Sequence, residues 1–212
     1  MILGSAIGGV LVTVVGAGPA IALDGCTFII GGALVASIRQ SSRPHDSGES
    51  AFSDLVHGWR VFLSYRWVVV IVLAFSFIVL VLRGSEEVLG PVLALQRYGG
   101  PAGWSIVLGF MFAGLLVGGI IGSRLRVARP LLVGMLACLT LPAWLLALAF
   151  QLPLPIVAFA SLCWGLGIEL FTVLWNTAMQ THIPREALSR VASYDAFGSL
   201  MFGPIGLAVA GP

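Results

Sequence analysis

The sequence predicts an all-α membrane protein, a polytopic bundle of about seven transmembrane helices. Of its 212 residues, 58% are hydrophobic and only 9% are charged, whereas a soluble domain carries about 25% charged residues. The apolar residues recur in blocks of roughly twenty, the length of helix that crosses a hydrocarbon layer about 30 Å thick. The basic residues, all of them arginine, gather in alternate connections between those blocks.

The blocks run Ile2 to Val15, Pro19 to Ile38, Trp67 to about Ala94, Trp104 to Gly122, Leu131 to Phe150, Leu154 to Trp175, and Tyr194 to the end. The first opens at Met1 without a polar flank and the last stops in mid-run at Pro212, which leads us to expect a chain cut at both ends. A secretory signal peptide would need a positively charged segment before the apolar run, and none is there.

Arginine placement predicts the orientation. Arg39, Arg43, Arg60 and Arg66 fall in the second connection, Arg124, Arg126 and Arg129 in the fourth, and Arg185 and Arg190 in the sixth. Only Arg83 and Arg97 lie near an odd-numbered connection. Positive charge is retained on the cytoplasmic side during insertion, so the even connections are expected inside the cell.

The second connection has two parts. "QSSRPHDSGES" reads as a flexible linker. The following "AFSDLVHGWRVFLSYRW" spaces Phe52, Leu55, Val56, Trp59 and Phe62 or Leu63 by threes and fours, with Asp54, His57 and Arg60 elsewhere on the wheel. This pattern predicts an amphipathic helix at the cytoplasmic interface, leading into the next span. His45, His57 and His182 all fall on this aqueous side and are expected to be solvated. Cys26, Cys138 and Cys163 stand singly in separate apolar blocks, as buried free thiols do, without metal-ligand spacing. No cofactor or metal is expected.

Polar residues within the apolar blocks carry most of the functional information, because ionised groups in hydrocarbon are costly. Asp24 and Asp195 lie near the expected starts of their blocks, where the helix dipole favours a carboxylate. Glu169, in "WGLGIELFTVLW", lies deep in its block with no basic neighbour in sequence. It must face another helix, a cavity or water, or take up a proton, and is the leading proton or substrate candidate.

"LVLRGSEEVLGP" poses a separate question, since Arg83, Glu86 and Glu87 either end a span or lie within it. The sixteen residues Trp67 to Leu82 would make a helix of about 24 Å, short of the hydrocarbon thickness. Continuation to Ala94 supplies a full, tilted span. On an uninterrupted α-helix Ser76, Val79, Arg83, Glu86, Glu87 and Gly90 share one face, and Arg83 reaches Glu86 or Glu87. Such a stripe belongs towards a bundle interior; an outer interface with ordinary surface charges is the other reading.

Small residues recur in "GSAIGGVLV", "GFMFAGLLVGGIIG" and "GLGIELF", at spacings that allow close helix approach. "GSAIGG" is echoed by "GPIGLAVAG" in the last block, as corresponding helices of two related halves would be. "GSAIGG" is similar to the end of an antiporter motif, Gly-Pro-x-x-Gly-Gly, with Ser5 in place of proline. "ALDGCTFIIGGALVASIR", "GWRVFLSYRWV", "EEVLGPVLALQRYGGPAGW" and, most specifically, "LWNTAMQTHIPREALSRVASYDAFGSLMFGPIGLAVAGP" resemble consecutive segments of a bacterial transporter. The chain therefore resembles the major facilitator superfamily, in the branch of the enterobactin and macrolide exporters.

The resemblance implies a twelve-helix fold that is incomplete here, covering about spans 5 to 11. Residues 1–39 would be the last two helices of the N-terminal half, 40–66 the cytoplasmic link, and 67–212 a truncated C-terminal bundle. It implies a multi-pass protein of the bacterial inner membrane that exports a small amphipathic molecule by alternating access, with protons flowing inward; the formal net charge of only +2 gives no reason to expect nucleic acid as a partner. Glu169 would couple to protons or bind a cation, while Arg83, Glu86, Glu87, Asp24 and Asp195 are further candidates along the path. Gly4, Gly8 and Gly9, with Gly203, Pro204 and Gly206, would shape close helix packing. "GSRLRVARP" keeps Arg124, Arg126 and Arg129 of the family's cytoplasmic loop but lacks its aspartate. A truncated membrane protein that does not transport, or a helix bundle that needs a partner, is the alternative. No phosphate loop, nucleophile elbow or metal-spaced histidine pair points to an enzyme.

Overall fold

The computed structural model describes residues 16–37 and 51–211. The first apolar block with Gly4, Gly8 and Gly9, the linker residues 40–50 and His45 lie outside the described residues. The chain divides into two units, Met1–Gly48 and Glu49–Pro212. In the first, α1 spans Ala17–Ser37. Asp24 stands two turns into this helix, beyond the reach of the dipole expected to favour it, because the helix begins before Pro19.

The second unit is helical throughout its described length apart from short turns. It comprises α2 (Ala51–Ser64), α3 (Arg66–Arg83), a π-helical turn (Gly84–Leu89), α4 (Gly90–Arg97), α5 (Pro101–Arg124), α6 (Pro130–Ala137), α7 (Thr140–Ala149), α8 (Leu154–His182), α9 (Arg185–Leu200) and α10 (Gly203–Ala210). Across the described residues, five helical runs are long and apolar enough to cross a membrane: Gly18–Ser37, Arg66–Arg97, Pro101–Arg124, Pro130–Ala149 and Leu154–His182.

Prolines explain where these runs bend. Pro91 has no N–H, and immediately before it the Gly90 N–H reaches back to the Ser85 carbonyl, the wider spacing of a π turn. The helix therefore continues through Arg83, Glu86 and Glu87 to Arg97. Pro142 likewise cannot bond the Cys138 carbonyl, which accepts from Leu141 N–H at 3.0 Å instead, and the run divides into α6 and α7. Pro204 follows the break at Met201 and Phe202 between α9 and α10.

The start of the last block differs from expectation. Ile183 is extended and α9 begins at Arg185, ten residues before Asp195. Helix-dipole stabilisation fades within the first turn, so it does not account for Asp195.

Helix α8 is the centre of one packing group, with α5, α6 and α7 against it. It runs parallel to α5, since Ser161 meets Val107 and Val173 meets Gly122. It runs antiparallel to α6, where Phe171 meets Gly134 and Gly167 meets Ala137. The α3 helix pairs with α9 and α10 in parallel, through Ser76 with Gly198 and Leu80 with Gly206. Phe75 on Phe171 and Trp67 on Trp175 join the two groups. Amphipathic α2 places Trp59 and buried Phe62 against Tyr194 of α9, while Leu55 and Leu63 stay exposed.

Candidate functional site

Helices α5 and α8 cross backbone to backbone, and Glu169 sits on that crossing. On α8, Ser161, Gly165 and Glu169 recur every four residues and so share a face. Ser161 Oγ donates to the Val107 carbonyl at 2.8 Å. A Cβ on Gly165 would strike the Met111 carbonyl, and one on Gly114 the Leu162 carbonyl. The next step along this seam places a Gly118 Cβ 2.5 Å from the Leu166 oxygen and 3.1 Å from the Glu169 Cβ. Glu169 then extends over Gly119, with its Cγ 3.6 Å from where a Cβ would stand. Glycines thus bring the two backbones together and leave room for a carboxylate at the edge of the seam. Arg83 with Glu87 is the ion pair among the described residues, and Glu169 takes no part in it.

A second carboxylate lies between α3, α8 and α9. Trp175 Nε1–H donates to Asp195 Oδ2 at 3.0 Å, and Ser199 Oγ–H to Oδ1 at 3.4 Å. Asp195 opens on a cleft of about 140 Å³ lined by Ile71, Phe75, Phe171, Thr172, Trp175 and Ser199, among others. The aromatic walls are ordered: Phe75 stacks on Phe171 at 4.4 Å, and Phe171 lies nearly parallel to Trp175 with centroids 6.0 Å apart. Trp67 meets Trp175 edge-on at 5.5 Å.

The charged stripe of the third block is divided by the π turn. Arg83 pairs with Glu87, both side chains being partly exposed. Glu86 is half-buried beside them. Ser76, however, is buried and donates to the Gly198 carbonyl at 2.6 Å, whereas Gly90 faces the Trp104 ring of α5. The six residues expected on one helical face therefore look towards different neighbours, because the extra residue in the π turn rotates everything after it. Gly84 lies against α10, where its Cβ would be 3.0 Å from the Gly206 oxygen.

Other candidates are not brought to these clusters. Arg124, Arg126 and Arg129 are exposed at the α5–α6 connection. Gly206 packs directly on the Leu80 backbone, but Gly203 has only ordinary contacts with Val79 and Arg83, at 3.6 Å. Pro204 sits at the start of α10. Cys138 is buried and Cys163 half-buried; Cys26 is exposed on α1 taken by itself. Trp175 and Ser199 are participants that sequence reasoning missed, whereas Ser76 was placed on the charged stripe and instead bonds across to Gly198. The four-residue spacing from Asp195 to Ser199 was a usable signal, but nothing local pairs Trp175 with Asp195.

Comparison with curated proteins and with solved structures gives no match. The family model described as Major Facilitator Superfamily matches residues 1–207, nearly the whole chain. That match agrees with the helical, multi-pass architecture and with a lipid-embedded transporter of small molecules. The chain belongs to the Major Facilitator Superfamily.

Proposed function

We propose that the chain serves proton-coupled efflux of a drug-like or siderophore-like small molecule across a bacterial inner membrane. In this reading residues 67–212 belong to one half of an alternating-access transporter, and 40–66 connects them to helices of the other half. Glu169 is the coupling carboxylate. The observation that carries its assignment is its position at the edge of the α5–α8 glycine seam, without a salt-bridge partner among the described residues. A carboxylate so placed changes the local balance when it takes up a proton: the charged form demands water or a cation, and the neutral form tolerates the apolar seam. Arg83, Glu86 and Glu87 contribute charge along the outer part of the path, and Asp24 and Asp195 supply further polar positions.

The test is substrate-driven proton movement in liposomes containing the purified full-length protein and an internal pH indicator. Glu169→Gln is expected to abolish the proton signal while leaving insertion and folding intact. An unchanged signal in that variant removes Glu169 from the coupling role.

A further inference from the structure

We propose that the Asp195 cleft binds an organic cation, a protonated or quaternary amine attached to an apolar body. The proposal rests on the transport reading in taking the occupant as cargo, and it names the chemistry that the cleft selects. The walls supply Phe75, Phe171 and Trp175, and aromatic rings attract a cation, most strongly when water is excluded. Asp195 supplies the single ionisable group among the described lining residues.

The geometry favours a cation over a neutral ligand. A carboxylate offers about four acceptor positions, and here Trp175 and Ser199 occupy two. These neutral donors hold the group in place without cancelling its charge. Among the described residues no arginine or histidine lines the cleft, and a half-buried anion without a cationic partner is costly. An ammonium entering the cleft supplies that partner, while its methyl or methylene groups rest on the stacked rings. The volume of about 140 Å³ suits an ammonium head, with the rest of the molecule extending through the open side. Thr172 and Ser199 add hydroxyls to the lining without adding charge.

Binding is measured by equilibrium dialysis of radiolabelled benzyltrimethylammonium against the full-length protein in lipid nanodiscs. Saturable binding is expected, and neopentylbenzene, the uncharged isostere, should compete at least tenfold less well. Asp195→Asn should weaken cation binding by about tenfold or more, and Trp175→Phe by several-fold. Equal competition by the neutral isostere, absence of saturable binding, or wild-type affinity in a folded Asp195→Asn variant overturns the proposal. The isostere comparison uses wild-type protein and so holds even where a variant misfolds. A protein that binds the cation but moves no protons in liposomes would instead count against the transport reading, so the two failures are separable.

Discussion

Gly206 lies directly over the Leu80 carbonyl, so that α10 and α3 meet backbone to backbone. A methyl group at Gly206 would force the helices apart, whereas one at Gly203 would make ordinary contacts at 3.6 Å. Gly206→Ala should therefore destabilise the folded protein by about 1–3 kcal/mol, the usual cost of overpacking. Gly203→Ala should be far milder. Thermal unfolding in detergent, followed by tryptophan fluorescence, compares the two; equal losses would mean that this crossing does not limit stability.

The α5–α8 seam offers a sharper comparison between adjacent residues. A Cβ at Gly118 would lie 2.5 Å from the Leu166 oxygen, while one at Gly119 would have its nearest neighbour, Glu169 Cγ, at 3.6 Å. We expect Gly118→Ala to cost about 1–3 kcal/mol and Gly119→Ala to leave stability nearly unchanged. In the efflux reading Gly119→Ala also narrows the space beside Glu169 and should alter proton movement more than it alters unfolding. Parallel denaturation and liposome measurements on both variants check this.

Ser76 is a buried hydroxyl that joins α3 to α9 through the Gly198 carbonyl at 2.6 Å. Ser76→Ala removes the donor and should cost about 0.5–1.5 kcal/mol. Its effect should be reduced in a Gly198→Ala background, where the added Cβ meets Val72 Cγ1 at 2.5 Å and already separates the helices. A double-mutant cycle reads the coupling, and strictly additive losses would place the two residues in independent contacts.

The Arg83–Glu87 pair is 47% and 41% exposed at its two side chains. In detergent, where solvent reaches such groups, the coupling from an Arg83→Gln and Glu87→Gln cycle should be about 0.3–0.5 kcal/mol, as for other exposed helical pairs. It should fall on adding salt. A coupling of several kcal/mol would instead reveal a pair shielded from water.

Much of the architecture was legible locally. The shortness of the sixteen-residue run before Arg83 correctly required a longer helix, because span length follows from hydrocarbon thickness alone. The π turn was harder to foresee: Pro91 announced a disturbed hydrogen bond, but whether the helix would kink, stop or widen depends on what Gly84 and Gly90 pack against. Asp195 was misjudged for a related reason. Polar "PREALSRVAS" hid the first turns of α9, since hydropathy reports where a helix enters lipid and says less about where its hydrogen bonding begins.

The sequence by itself determined that this is a helical membrane protein, where most of its apolar runs lie, and which few residues carry charge among them. These are properties of composition and short-range order. Tertiary structure decided which way each helix is turned: Glu169 towards the glycine seam, Ser76 towards Gly198, and Trp175 towards a carboxylate twenty residues away. In lipid, apolarity is nearly uniform around a helix and cannot set its rotation, so close packing and hydrogen bonds between distant residues make that choice.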